Sequence, residues 1–355
     1  MKIGIVTVYN SMNYGAYLQA YAMKTLLEKK GHTVYFVKNN VRHPFVRTVG
    51  EAAYKLVSSK GKVKYSSYVM KKYSNYKRYW KNFSICPNKG KKFDELDCVI
   101  FGSDEIWNIK RKEINKYPVL FGAGFEDKYK IGFAPSMNDA KPENFDKYPE
   151  IVKLLKEFKY IAVRGKNSGE TAGKLLNRKM EVVLDPTLLI DAKEYDRLEE
   201  KYDKKNYILL YSYGTTISPE NKAKIQAYAK ETGRKIVSVL SYLSWCDENP
   251  QLSVGELISC FKNSDMVFTN TFHGTILSTI FKKEFVSLAG DKKNKVTELL
   301  SALKLEDRIL TKDKTVDEIV KTSINYNEVY GYLNKEKEYC NNLLNNALSK
   351  VKEGI

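Results

Sequence analysis

The stretch of this 355-residue chain best suited to chemistry is Thr269-Asn270-Thr271-Phe272-His273-Gly274-Thr275. It follows the apolar run Met266-Val267-Phe268, where a strand would hand over to a helix. Ligands of open α/β sheets gather at the carboxyl ends of strands, and the N–H groups of a helix start attract anions. A histidine there can give and take a proton on an anionic substrate. Thr271, Gly274 and Thr275 would let a phosphate approach closely. The plainer alternative is a structural histidine bonding a nearby carbonyl. Three further segments end predicted strands in the same way. Tyr9 to Gly15 carries Asn13, Tyr14 and Gly15, whose amide and backbone groups could hold sugar hydroxyls or a phosphate. Gly102 to Asn108 sets Asp104, Glu105, Trp107 and Asn108 on one loop, which suits carbohydrate hydroxyls and ring stacking. A capped helix start over a buried Trp explains that loop nearly as well. Arg164, with Lys166 after it, ends Ile161-Ala162-Val163 as a cation able to clamp a carboxylate or phosphate. An ordinary salt bridge is its alternative.

Several chemistries are excluded by what is missing. The histidines number three: His32 follows the helix stop Gly31, His43 precedes Pro44, and His273 stands alone, so no metal site is expected. Five cysteines (Cys86, Cys98, Cys246, Cys260, Cys340) show no CxxC or ligand spacing and read as reduced cytoplasmic thiols. There is no GxGxxG fingerprint and no P-loop. No run of 18 apolar residues exists, and the apolar start meets Asn10 and Asn13 too early for a signal peptide. A hydrophobic content of 43% places the chain among globular proteins.

Charge is unevenly placed. Of the net +18, +13 falls between Val41 and Lys92, where 14 Lys/Arg face one acid, Glu51. Tyr65, Tyr68, Tyr73, Tyr76, Tyr79 and Trp80 interleave with these cations, as in single-strand nucleic-acid binders. No helix-turn-helix, zinc-finger or RNP motif accompanies them, which argues against nucleic acid. An anionic membrane surface is the second reading, and a solvated face in a Lys/Asn/Tyr-rich chain the third.

The elements that must position these residues alternate. Strands are expected at Ile3 to Val8, Thr33 to Val37, Asp97 to Phe101, Lys130 to Ala134, Tyr160 to Val163 and Glu181 to Leu184. Helices are expected at Ala16 to Lys30, Ala52 to Val57, Tyr65 to Trp80 and Ile151 to Phe158. The charged run Lys201 to Lys205 reads as a linker, after which the pattern restarts. Strands Tyr207 to Tyr211, Lys235 to Leu240, Asp265 to Thr269 and Glu284 to Leu288 alternate with helices capped by Ser218 and Ser253 or starting at Gly274 and Lys295. Two doubly wound Rossmann-like α/β domains facing a cleft are the expected fold. Residues 1–200, with a basic insertion at 41–92, form the first, and 207–323 the second. Residues 324–355 form a C-terminal helix packing back, with Val329, Leu333, Cys340, Leu344, Leu348 and Val351 as its apolar stripe.

Five segments in order resemble the polysaccharide pyruvyl transferase family. They are Gly4-Ile5-Val6-Thr7 with Asn13-Tyr14-Gly15-Ala16-Tyr17-Leu18-Gln19, then Gly102-Ser103-Asp104-Glu105-Ile106-Trp107-Asn108. Val163-Arg164 follows, leading to Asp185-Pro186-Thr187-Leu188-Leu189, then Thr271-Phe272-His273-Gly274-Thr275. A basic residue ahead of Leu299-Leu300, with Leu305 and Arg308, completes the set. The resemblance implies a two-domain fold like that of GT-B glycosyltransferases. It also implies transfer of the enolpyruvyl unit of phosphoenolpyruvate to two hydroxyls of a surface-polysaccharide sugar, making a pyruvate ketal without a further cofactor. His273, Arg164 and a lysine of the Lys293/Lys295 pair would then face phosphoenolpyruvate. A sugar or lipid-diphosphate-linked acceptor would lie near Asn13 and the Asp104 to Asn108 loop. Gly165, Glu105 and Lys295 depart from the family's commoner residues. A nucleotide-sugar glycosyltransferase and a basic membrane-surface or nucleic-acid binding protein are the competing functions. The expected location is cytoplasmic, peripheral at the membrane's inner face if the acceptor is lipid-linked.

Overall fold

A computed structural model describes residues 1–39, 41, 63–290 and 295–353, and within the helix Val63–Trp80 the side chains of 70, 71 and 73–80. His43, Lys293 and the helix expected at Ala52 to Val57 lie outside the described residues. The chain divides into two compact units, Met1–Ile190 with Lys335–Ile355, and Asp191–Asn334.

In the first unit, strands β1 (Lys2–Val6), β2 (Thr33–Val37), β3 (Ile85–Cys86), β4 (Cys98–Phe101), β5 (Lys130–Phe133), β6 (Tyr160–Arg164) and β7 (Glu181–Val183) form one sheet. Its order is β3-β2-β1-β4-β5-β6-β7, and all the paired strands run parallel. Such a sheet is covered on both faces, which is why β4 is a continuous apolar run with every residue buried. The order reverses between β1 and β4, so the loops after Val6 and Phe101 share a topological switch point. Helix Tyr14–Lys29 follows β1 and starts where Asn13 Oδ1 accepts the amides of Gly15 at 2.8 Å and Ala16 at 3.3 Å. Trp107 lies under β5, where Gly132 leaves it room: a Cβ on that glycine would stand 2.7 Å from the indole.

The second unit repeats the design with β8 (Tyr207–Tyr211), β9 (Lys235–Ser238), β10 (Met266–Thr269) and β11 (Phe285–Ser287). Their parallel order, β11-β10-β8-β9, places the switch point between β8 and β10. Ser218 caps helix Pro219–Glu231, and Ser253 with Glu256 forms a reciprocal capping box on Val254–Asn263. The expected α/β architecture is therefore present in both units.

The division falls ahead of the charged run Lys201 to Lys205. Residues on its N-terminal side are tied into the second unit: Tyr195 is buried with its ring edge-on to Phe281, and Lys262 pairs with Asp196 at 2.6 Å. Asn263 Nδ2 also donates to the Tyr202 carbonyl at 2.6 Å, so the charged run is pinned by neighbours. The C-terminal helix, Tyr326–Glu353, changes units at Lys335. In the second unit Tyr330 donates to the Ile280 carbonyl at 3.0 Å; in the first, the Leu184 amide donates to Cys340 Sγ at 3.4 Å. Val329, Leu333, Cys340, Leu344 and Leu348 are buried as the stripe requires, and Val351 is half-buried. Among the described residues no helix is long and apolar enough to cross a membrane.

All five cysteines are buried thiols. Burial pushes Cys98, Cys246 and Cys260 up to about 12 and Cys340 up to about 11, so almost no reactive thiolate exists near neutrality. Ellman's reagent at about pH 8 is expected to label fewer than one thiol per native chain within minutes. In guanidinium all five should react. Two or more fast native thiols would contradict this packing.

Candidate functional site

The second unit's switch point is built from neutral hydrogen bonds. Thr269, the last residue of β10, is fully buried; its Oγ1 donates to the Tyr211 carbonyl at 2.7 Å and accepts the Thr271 amide at 3.1 Å. Thr271 is extended, and its Oγ1 accepts the Gly274 amide at 2.9 Å, so it is the N-cap of helix Phe272–Ile280. The helix thus begins two residues before the expected Gly274, because a threonine side chain can close its first turn. His273 is its second residue, half-buried, with its ring edge-on to Phe272 at 5.5 Å between centroids. Gly274 must be glycine for lack of space: a Cβ would stand 2.1 Å from Thr269 Oγ1 and 2.7 Å from Thr271 Oγ1.

Asn270 ties the adjoining loop down. Its Oδ1 accepts the Tyr213 amide at 3.1 Å, and its Nδ2 donates to the Tyr213 carbonyl at 3.3 Å and to Thr216 Oγ1 at 2.5 Å. The Gly214 amide in turn donates to Ser241 Oγ at 3.0 Å, so the loops following β8, β9 and β10 form one platform. Lys295 opens helix Lys295–Ala302 and holds its ammonium 6.0 Å from the Phe272 ring centre, at the limit of a cation–π contact. The Lys295 ammonium therefore lies beside the residue that precedes His273.

In the first unit the strand ends are locked by charge. Arg164, at the end of β6, is 6% exposed, and its guanidinium donates to Asp185 Oδ2 and lies 3.5 Å from Asp104 Oδ1. Asp185 uses its other oxygen to accept from the Thr187 amide at 3.0 Å and the Thr187 hydroxyl at 2.6 Å, capping helix Pro186–Leu189. Burial alone would lower the Arg164 pKa, but Asp185 and then Asp104 outweigh it and hold the guanidinium above its ordinary value. One cation between two acids leaves no surplus positive charge.

At the β1–β4 switch point a second polar network joins the first through Ser103 Oγ, which donates to Asp185 Oδ2 at 3.4 Å. Thr7 Oγ1 donates to the Ser103 carbonyl at 3.0 Å and accepts Gln19 Nε2 at 3.1 Å, while the Ser103 amide donates to Gln19 Oε1 at 3.2 Å. All three residues are fully buried. Gly102 makes the turn possible with φ at +129°, where a Cβ would meet the Phe133 carbonyl oxygen at 2.1 Å.

These positions sort the sequence-derived site residues. His273, Thr271, Gly274 and Lys295 come together; Lys293 lies outside the described residues. Thr275 is fully buried and its hydroxyl donates to the Thr271 carbonyl at 3.2 Å, so it braces the helix. Arg164, expected to face the donor, lies in an ion pair with Asp185 beside Asp104. Trp107 is fully buried, edge-on to Phe158 at 5.3 Å, with Nε1 donating to the Leu120 carbonyl at 3.0 Å. No face of it is left for a sugar ring. Tyr14 is buried against Tyr76, Gly15 is buried in the same helix, and Asn108 is buried with its amide donating to Glu105 at 3.3 Å. Asp104 and Asn13 are half-buried and Glu105 is buried; Asn13 caps its helix, Asp104 faces Arg164 and Glu105 lies 3.6 Å from Arg111. Sequence reasoning missed Gln19, Thr7 and the role of Asp185. A glutamine amid the apolar residues of a helix was the available signal for the first.

A family model described as polysaccharide pyruvyl transferase matches residues 13–292. No curated protein matches the sequence. Among solved structures, a Listeria monocytogenes protein assigned as a UDP-N-acetylglucosamine 2-epimerase aligns with a TM-score of 0.54 and 9% identity, over 100% of this chain and 97% of that one. The UDP-GlcNAc 2-epimerase of Methanocaldococcus jannaschii aligns with a TM-score of 0.51 and 10% identity, over 94% and 92%. That of Neisseria meningitidis, bound to UDP-GlcNAc, gives 0.50 and 11%, over 99% and 100%. At such identities the likeness concerns the fold, that of GT-B enzymes with their paired Rossmann-like domains.

Removing one partner of a buried ion pair strands the other charge. Arg164→Ala is therefore expected to lower the unfolding free energy by about 3–5 kcal/mol in guanidinium titrations, with partial recovery when Asp185→Ala is added. A donor clamp facing solvent would cost at most about 1 kcal/mol, and that result would restore the ligand-binding reading. Gly274→Ala should cost at least about 1–3 kcal/mol by overpacking the helix start.

Proposed function

The chain belongs to the polysaccharide pyruvyl transferase family, and from that premise we propose that it moves the enolpyruvyl group of phosphoenolpyruvate onto two hydroxyls of one sugar. The observation that carries this reading is the His273 turn at the carboxyl end of β10, where the Lys295 ammonium lies 6.0 Å from the ring centre of Phe272, the residue before the imidazole. In the proposed reaction C3 of phosphoenolpyruvate gains a proton and becomes a methyl group, while a sugar hydroxyl bonds to C2. The C2–O bond to phosphate then breaks, the phosphate leaving with the electron pair. A second hydroxyl closes the ketal on C2, and its proton passes to the departing phosphate or to the base. Of the two hydroxyl protons released, one balances the proton taken up at C3.

His273 is assigned the proton transfers, because an imidazole is the side chain of this turn that can both give and take a proton. Lys295, with Lys293 two positions before it, is assigned to neutralise the carboxylate and the departing phosphate. Thr271 and Gly274 shape the turn that presents His273. Acceptor hydroxyls are assigned to Asn13, Asp104 and Glu105. The acceptor class is a sugar, carried on a lipid diphosphate during surface-polysaccharide synthesis, with the enzyme peripheral at an anionic membrane.

Calorimetry should detect phosphoenolpyruvate binding and none of uridine diphosphate; the reverse result would establish a nucleotide-sugar enzyme instead. With candidate glycolipids, mass spectrometry should show a pyruvate ketal. His273→Ala is expected to lose about 10²–10⁴-fold in turnover with its melting temperature kept. Lys295→Ala should chiefly raise KM for phosphoenolpyruvate. Full turnover in the His273 variant would sink the assignment.

A further inference from the structure

The helix Val63–Trp80 carries most of the described part of the basic segment, and its two faces differ in kind. Tyr76 and Tyr79 are buried, stacking beside Tyr14 at 5.2 Å and against Tyr17 at 5.6 Å, and Phe83 just beyond packs on Tyr17 at 5.0 Å. Tyr73 and Trp80 are half-buried and lie edge to face with each other. The opposite face holds Met70, Ser74, Lys77 and Lys81, at i, i+4, i+7 and i+11, with Lys71 and Arg78 beside them. All six are exposed, Met70 by 44%. Lys71, Lys77 and Lys81 have no carboxylate partner among the described residues. Lys89, Lys91 and Lys92 are exposed just downstream, and no acid occurs from Lys71 to Lys92.

We propose that this face is a docking surface for an anionic phospholipid bilayer. Charge complementarity selects a polyanion, and the facing of the aromatic residues selects which one. A single-stranded nucleic acid is held by exposed rings on which bases stack, and here the described rings point into the protein. A bilayer asks only for clustered cations at its surface and accepts an exposed apolar side chain such as Met70. Because the helix's apolar face is already buried, adsorption is electrostatic and reversible and does not involve insertion. This rests on the lipid-linked acceptor of the proposed function for its purpose, since docking would bring the enzyme to such a substrate. The contact itself is independent of it.

Co-sedimentation with phosphatidylcholine vesicles, with and without about 30% phosphatidylglycerol, tests the surface across a series from about 0.05 to 0.5 M salt. Binding is expected to the anionic vesicles alone and should fall steeply with salt. The combined Lys71→Glu, Lys77→Glu and Lys81→Glu variant should bind at least about tenfold more weakly, with circular dichroism and melting temperature unchanged. Equal binding to both vesicle types, unchanged binding by the variant, or no binding at low salt would each overturn the proposal. So would oligothymidylate binding tighter than the anionic vesicles. Phosphoenolpyruvate calorimetry on the same variant keeps the two ideas apart: retained donor binding without vesicle binding upholds the docking surface, and lost donor binding in the parent chain rejects only the enzyme reading.

Discussion

A single guanidinium fixes the strand ends of the first unit. Arg164 is removed from water at the end of β6, and burying a charge is tolerable only where partners of opposite charge are already in place. Asp185 and Asp104 meet that condition, and each in turn constrains its own segment. Asp185 must cap Pro186–Leu189 to present one oxygen inward. Asp104 must hold a left-handed backbone, φ 72°, beside Pro135, and its carbonyl accepts the Ser136 amide at 2.8 Å. The turn of Gly102 and the Thr7–Gln19–Ser103 network, linked to Asp185 through the Ser103 hydroxyl, lie at the same tight passage of chain over β5. The result is a rigid, self-satisfied edge whose acidic and basic groups answer each other.

The second unit secures the equivalent edge with no charge at all. Thr269, Thr271 and Asn270 bind strand end, helix start and neighbouring loop through neutral hydrogen bonds. His273 and Lys295 are the ionisable side chains set beside these hydrogen bonds, at the second residue of one helix and the first of another. The two units share a topology and differ in what their switch points have left to offer a ligand.

That difference marks the boundary of what the sequence discloses. Strands and helices were legible because their signals are local: β-branched runs, Ser218 and Ser253 as caps, Gly31 as a stop. The first helix and β2 appear within two residues of their expected bounds. Pairings across the fold were not legible. Arg164 lies 21 residues from Asp185 in the chain, and nothing in either neighbourhood says that the two will meet. Trp107 and Tyr14 are residue types equally at home on a sugar and in a core, and only the position of β5 and the helix Val63–Trp80 decides. The run Lys201 to Lys205 has a linker's composition, yet Tyr195 and the Tyr202 carbonyl anchor the chain on either side of its start.

Net charge has to be interpreted through the same geometry. The interleaved tyrosines and lysines between Val41 and Lys92 look alike in sequence whether they serve nucleic acid, membrane or solvent. Placed on a helix, the described ones separate into an aromatic face that packs on Tyr14 and Tyr17 and a cationic face that meets water. Exposed charges are screened within about 8 Å at physiological salt, so that face acts on what touches it. The proton transfer proposed for His273 would depend instead on groups close to it. The excess of +18 is therefore mainly a property of one segment, and the proposed chemistry draws on two or three cations that the total barely registers.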